Sequence, residues 1–390
     1  MSGSALGREA EILHRQLDRF RRAHPELLVE LRPTPDSADQ RRQLYVQWLN
    51  ARAVDPDVLQ LDVVWTAEFA AAGWIAPLDE HRPDIASYPA AAIRANTWNG
   101  SLYALPWFVD VGMLYWRTDL VPRAPGDFAE LQQLAAAARA RGVPYGFIWQ
   151  GARYEGLVTV FLEHLTAFGG AILNDSGEVT VDAEPAVAAL TAMRDEITGS
   201  GITPPAVLAW QEEQVRLAFQ NGQAAFMRNW PYAYSLVDDD AESTVAGRVR
   251  ATAFPAASGG QPAAALGGAQ LAINAHSDQQ DDAYRLIAFL LQPEQMIERA
   301  RIAGQFPSRL DLYEGDTLTA ALKIPPADAA AVIRSAVARP VTPVYGELSG
   351  ILQVSLHRAL TGQQAPRAAL QDAAAAMRRL LAKVKLGPAA

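Results

Sequence analysis

The sequence predicts an α/β protein built as two lobes, and three observations carry that prediction. Its 390 residues, half of them apolar, are more than one core of ordinary size encloses. The first 65 residues alternate amphipathic stretches of helical period with short apolar runs, the βαβ rhythm of a sheet covered by helices. No repeat of roughly 20 to 50 residues runs through the chain, which sets solenoids aside.

Residues 9–24 carry Ile12, Leu13, Leu17 and Phe20 on one side and arginines elsewhere, an amphipathic helix. Residues 27–31 read as a short strand, 36–52 as a second helix, and 57–65 as a mostly apolar run of buried-strand type. Trp98-Asn99-Gly100 reads as a turn entering a strand that reaches Pro106, and residues 109–117 as another strand. Trp107-Phe108 then falls where the chain is expected to cross to the second lobe. Helical periodicity marks 128–141, 157–167, 185–197 and 211–221, whereas Ser258-Gly259-Gly260-Gln261-Pro262 is a loop and 266–274 a strand.

Composition removes several function classes. Thirty-four basic against 43 acidic residues give a net charge of −9 with no run of Lys and Arg, which argues against nucleic acid as a partner. With no cysteine and six scattered histidines, thiolate chemistry, a Ser/His triad and a histidine metal centre have no foundation. No cofactor motif is present. No window holds the roughly 18 uninterrupted apolar residues of a membrane span, and no signal peptide opens the chain.

The remaining chemistry is polar and aromatic. Asp62 sits toward the carboxyl end of an apolar strand, where open α/β sheets meet ligands, or else it caps the helix that follows; Trp65 flanks the same place or is core. Asp110 lies beside Trp107 and Phe108, as a ligand contact or as a hinge residue satisfying backbone donors. Arg41 and Arg42 read as a solvated surface pair, whereas Arg339, stiffened by Pro340 and Pro343, can offer a bidentate guanidinium or simply sit in a loop. Glu212 and Glu213 begin a helix, which acidic residues stabilise, and that helix leads toward Phe226-Met227-Arg228-Asn229-Trp230-Pro231-Tyr232-Ala233-Tyr234. Gly267-Gly268 permits a close backbone approach. Aromatic faces with carboxylates, an amide and guanidiniums suit polyhydroxyl recognition: the rings meet the C–H faces of a sugar, and the polar groups pair its hydroxyls.

The order of these motifs resembles the extracellular solute-binding proteins of ABC sugar importers, within them the trehalose/maltose-binding branch. The carriers are Asp39-Gln40-Arg41-Arg42, Asp55-Pro56-Asp57-Val58 through Asp62-Val63-Val64-Trp65, Phe69 through Asp79, and Tyr103-Ala104-Leu105-Pro106 with Asp110, Gly112 and Tyr115. They continue with Ala225 through Tyr232, Leu266-Gly267-Gly268 and Arg339-Pro340-Val341-Thr342-Pro343. The resemblance implies the type II periplasmic-binding-protein fold, its discontinuous lobes closing on ligand by hinge bending. The expected N-terminal lobe is 1–109 with 265–306, and the C-terminal lobe 110–264 with 307–390. It further implies a monomer located outside the cytoplasm, without catalytic turnover, that takes a disaccharide such as trehalose or maltose in an interlobe cleft and delivers it to an ABC permease. Carried over by position, Glu9, Arg41, Asp62, Phe108 and Asp110 contact one glucosyl unit, and Trp230, Tyr232, Gly268 and Arg339 form the other binding positions, with Asn229 and Glu212 added. Phe108 stands where some members have tyrosine, which removes a hydroxyl contact. Met1-Ser2-Gly3-Ser4 supplies only the loop that follows the family's first strand, so a shortened chain or a misplaced start is expected. The competing readings are a binding protein for another polar solute, such as a polyol, glycerophosphodiester or oligopeptide, and a glycosidase. The last requires a carboxyl pair about 5–9.5 Å apart, which no spacing here reveals.

Overall fold

The computed structural model describes residues 1–4, 6–174, 176–314 and 316–385. It divides into two compact units: Met1–Asp110, Gly267–Pro326 and Val341–Tyr345 form the first, and Val111–Leu266, Ala327–Pro340 and Gly346–Ala390 the second.

In the first unit the sheet sets Ala104–Val111 between Phe306–Pro307 and the long strand Ala264–Ile273, whose far end pairs antiparallel with Val58–Asp62. The period-2 alternation of strand side chains divides the core in two. Ala269, Leu271 and Ile273 join a cluster with Leu13, Leu17, Phe20 and Trp107, whereas Leu59, Leu61 and Ala272 join one with Tyr45, Trp65 and Phe69. The helix Glu9–Ala23 lays Ile12, Leu13, Leu17 and Phe20 inward as its periodicity predicts. Residues 307–326, expected with the C-terminal lobe, group here because Phe306 and Pro307 pair with Val109 and Phe108, and the Leu310 N–H donates to the Ser87 carbonyl at 2.7 Å.

Three expectations change. Residues 27–31 form no strand; the pairing falls at Arg32–Pro33, opposite Ser2–Gly3 in parallel register. The opening residues are therefore more than a loop: Met1 and Ser2 are buried, the Met1 amino group donates to the Glu30 carbonyl at 2.7 Å, and the Gln60 side chain accepts the Ser4 N–H at 2.9 Å. Trp107 and Phe108 lie inside one continuous strand, Ala104–Val111, and the break in the chain direction comes at Gly112.

The second unit holds a four-stranded sheet in the order Val249–Thr252, Met113–Arg117, Ala224–Asn229, Tyr145–Ile148. All but its last pairing are antiparallel, with Met113 opposite Asn229 and Tyr145 parallel to Ala224. Every residue of Ala224–Asn229 is buried, the pattern of a strand covered on both faces. The helix Glu155–Ala167 is likewise buried along its whole length, which takes Glu163 out of water. The helix Glu212–Gln220 starts from a capping box of Gln211 and Gln214, which fixes where its first turn, and so Glu212 and Glu213, must lie.

Candidate functional site

In the second unit the end of the buried strand Ala224–Asn229 delivers Trp230, and Pro231, with helical φ and ψ of −56° and −33°, turns the chain at once into the helix Tyr232–Val237. Trp230 is gripped at four points. Its N–H donates to the Asn229 side-chain carbonyl at 2.8 Å, its carbonyl accepts from the Tyr115 hydroxyl at 2.6 Å, and its indole Nε1 donates to Glu212 Oε1 at 3.3 Å. The Arg228 guanidinium lies 3.9 Å from the ring centroid on one face. Tyr232 donates its hydroxyl to Glu213 Oε1 at 2.7 Å, and Arg216 holds the same carboxylate through Nη2 at 2.6 Å. Glu212, Asn229 and Trp230 thus form one hydrogen-bonded group, and Tyr232, Glu213 and Arg216 form a second.

The electrostatics of that group follow from burial. Burial pushes the Tyr232 hydroxyl well above its usual pKa, and the Glu213 and Glu212 carboxylates add to the shift. Burial works against Glu213 too, yet hydrogen bonds from Arg216 and Tyr232 hold it below the ordinary carboxylate range. It therefore stays an ionised acceptor at neutral pH. Tyr154, which the sequence reading missed, has its hydroxyl buried with no hydrogen-bond partner among the described residues. Burial first, then the neighbouring Glu212, raises its pKa well above the phenol value. Its only sequence signal was a tyrosine just before a helix.

Two residues of the set are occupied elsewhere. Asn229 is fully buried and spends its amide on the Glu212 carbonyl and the Trp230 N–H, so it positions its neighbours. Arg339 is 4% exposed and gives Nη1 to Glu155 Oε1 at 2.7 Å and Nη2 to the Leu266 carbonyl at 3.3 Å, so it is a buried ion-pair partner.

In the first unit three neighbouring strands bring Asp62, Gly268, Phe108 and Asp110 together. Asp62, the last residue of its strand, pairs with Ala269; the Gly268 carbonyl accepts the Val63 N–H at 3.3 Å. Gly268 has φ +116°, and a Cβ there would fall 2.3 Å from the Phe108 carbonyl and 3.1 Å from the Asp110 N–H, so only glycine fits. Asp62 accepts the Val64 N–H at 3.2 Å, and the following helix is entered at Trp65 without a side-chain cap, so Asp62 is not its N-cap. Trp65 and the Phe108 ring are core.

Arg41 and Arg42 are not a solvated pair. Arg41 is half-buried, 5.5 Å from the Trp65 ring, and donates to the Pro35 carbonyl at 3.0 Å; Arg42 donates Nε to Glu68 at 2.9 Å. Glu9 is buried and accepts from Ser4 and Gln305. Burial raises its pKa against the pull of Arg299 and Arg41. Arg299 in turn is lowered by burial to about 10, opposed by Glu9, Glu298 and Asp110. Glu9 is therefore coupled to both Arg299 and Arg41, and Asp110 to Arg299.

No group of three or more acidic or histidine side chains among the described residues is arranged to hold a metal ion, and no helix among them is long and apolar enough to cross a membrane.

The model of the bacterial extracellular solute-binding protein family matches residues 7–297. A probable ABC transporter-binding protein of Deinococcus radiodurans is 36% identical over 368 residues, spanning 88% of this chain and 84% of the relative. Among solved structures, maltose-bound MalE3 of T. maritima is 40% identical with a TM-score of 0.93, covering 97% of this chain and 98% of that one. A solute-binding protein of Thermotoga Lettingae, bound with α-D-tagatose, has a TM-score of 0.88 at 23% identity over 97% of this chain and 98% of its own. The fold shared with these structures is the mixed α/β type II periplasmic-binding fold.

Proposed function

The chain belongs to the bacterial extracellular solute-binding protein family, the binding components of ABC transporters, and from that premise we propose that it captures an α-glucoside disaccharide, maltose or trehalose, without chemical turnover. The observation that carries this reading is the Trp230 platform: a part-exposed indole held by Arg228, Glu212, Asn229 and Tyr115, with the Glu213–Tyr232 pair beside it. A fixed aromatic face with carboxyl acceptors near its edge meets both demands of a sugar, an apolar C–H face and hydroxyls that donate. Such a site discriminates, because a buried polar group left unpaired by the wrong sugar costs about 1–3 kcal/mol. Taken by itself, the first unit offers Arg41, Asp62, Asp110 and the Gly268 backbone as polar groups suited to hydroxyls, while Glu9, Phe108, Asn229 and Arg339 act through the residues they hold. The 40% identity to a maltose-bound protein supports the choice of sugar. The partner that follows is a membrane permease, met outside the cytoplasm by a monomer.

Titration calorimetry with maltose, trehalose, glucose and sucrose tests the proposal. Maltose or trehalose is expected to give saturable heat that Trp230→Ala reduces at least tenfold in affinity, with the melting transition within a few degrees of the parent. Absence of heat with every gluco-disaccharide from folded protein, or equal loss of fold and binding in the variant, refutes it.

A further inference from the structure

Beneath Trp230 lies an ion pair that the binding reading does not by itself require. Arg228 and Glu163 are each 1% exposed, and Arg228 reaches Glu163 through Nη2 at 2.6 Å and through Nε at 3.0 and 3.1 Å. Glu163 Oε1 also accepts the Ala265 N–H at 3.1 Å, and the Gln150 amide donates to the Arg228 carbonyl at 3.1 Å. Burying two charges carries a desolvation penalty that an apolar pair of the same volume avoids, so a fully enclosed pair calls for a reason beyond stability. The contact it makes supplies one: the guanidinium this pair fixes is the group lying 3.9 Å from the Trp230 ring.

We propose that Glu163 and Arg228 are positioning residues for ligand recognition, the pair holding the guanidinium flat against one face of Trp230 so that the indole plane is set before a sugar arrives on the other. The inference rests on the reading of Trp230 as the sugar-stacking residue. A bidentate carboxylate fixes both the position and the plane of a guanidinium, which a single hydrogen bond does not. The plane of Arg228 then dictates the plane of the ring stacked on it, and the Glu212 contact at Nε1 removes the remaining rotation. Preorganisation of this kind raises affinity by lowering the ordering cost of binding.

Two variants separate the role from plain structure. Glu163→Gln keeps the shape and removes the charge; Arg228→Lys keeps the charge and loses the plane. Each is made in the parent and in a Trp230→Phe background. The difference in emission between the two backgrounds isolates Trp230 without ligand, and calorimetry with maltose and with trehalose gives affinity. The expected result is a shifted Trp230 emission and a roughly 3- to 30-fold weaker affinity in both variants, the span of a cation–π contact, with little further loss once Trp230 is phenylalanine. Unchanged emission, or the same loss of affinity with and without Trp230, overturns the proposal. If Glu163→Gln does not fold, Arg228→Lys decides by the same criteria. If the parent protein binds neither sugar, the reading of its ligand falls, and the emission comparison alone upholds or overturns the positioning of Trp230.

Discussion

Gly112 offers a sharp test of how rigid the buried pair is. A Cβ at this position would fall 1.7 Å from Glu163 Oε1, 2.4 Å from Arg228 Nη2 and 2.8 Å from Glu163 Cδ, where side-chain Cβ contacts essentially never come under 3.0 Å. Gly112 does not have the positive φ that would penalise alanine by itself, so the clash is the whole effect. Glu163 Oε1 would have to retreat about 1.3 Å, from 1.7 Å out to 3.0 Å, and it cannot do so while keeping Arg228 at 2.6 Å and the Ala265 N–H at 3.1 Å. Overpacking costs about 1–3 kcal/mol, and separating a buried pair about 3–5 kcal/mol. Gly112→Ala should therefore destabilise the second unit by about 3 kcal/mol, a fall in Tm on the order of 10 °C by calorimetry. Gly350 gives the matching control, since it lies in the helix Tyr345–Leu360 with nothing within 4 Å of its ideal Cβ. There alanine should stabilise by about 0.5–1 kcal/mol. A Gly112→Ala protein as stable as the parent would show that Glu163 moves freely and that the pair fixes nothing.

Two further substitutions test residues of the expected site that the structure buries against protein partners. Because burial raises the pKa of Glu9 from its ordinary 4.5, the folded state keeps a proton that the unfolded state releases. Stability from this group then falls as pH rises from about 4.5 through the folded value, and the penalty is complete above it. Glu9→Gln should gain Tm relative to the parent more at pH 8 than at pH 4.5, measured by thermal melts, and a gain that is equal or larger at low pH refutes the assignment. Arg339→Ala leaves the Glu155 carboxylate, 9% exposed, without its cation. The expected cost is about 3–5 kcal/mol in urea unfolding; loss of sugar affinity with stability intact would restore Arg339 as a direct ligand contact.

Much of the fold was legible because its signals are local. Helical period placed residues 9–24, 128–141 and 185–197 close to their true bounds, and the apolar run 57–65 was read as a buried strand that in fact stops at Asp62, three residues earlier. The failures have a physical origin as well. Trp107 and Phe108 looked like a crossing point because their neighbours on both sides read as separate strands, yet one strand buried along most of its length has no polar interruption to mark its middle. The same uniform burial hid Arg228: in Ala224–Asn229 every residue is enclosed, so no alternation distinguishes an arginine paired inside from one facing water. Its partner lies 65 residues earlier, on a helix whose complete burial hydropathy does not announce. The place of Trp230 at the end of a strand was legible, since an aromatic beside an amide and a proline is unusual there. What holds it still was not.

The burial of Glu9, Asn229 and Arg339 against protein partners has a common cause. Recognition of hydroxyls needs carboxylates, amides and guanidiniums, and those same groups are what a buried scaffold uses to fix a polar residue without leaving a donor unpaired. Sequence position therefore identifies the neighbourhood of such a site before it separates the group that touches ligand from the group that holds it. Burial and hydrogen-bond partners differ among these residues. Asn229 has both ends of its amide bonded to protein and is enclosed, whereas Trp230 and Glu212 keep part of their surface exposed. With the Trp230 backbone N–H and carbonyl, its ring nitrogen and one ring face held by protein, the proposed reading assigns a stacked sugar ring to the opposite face.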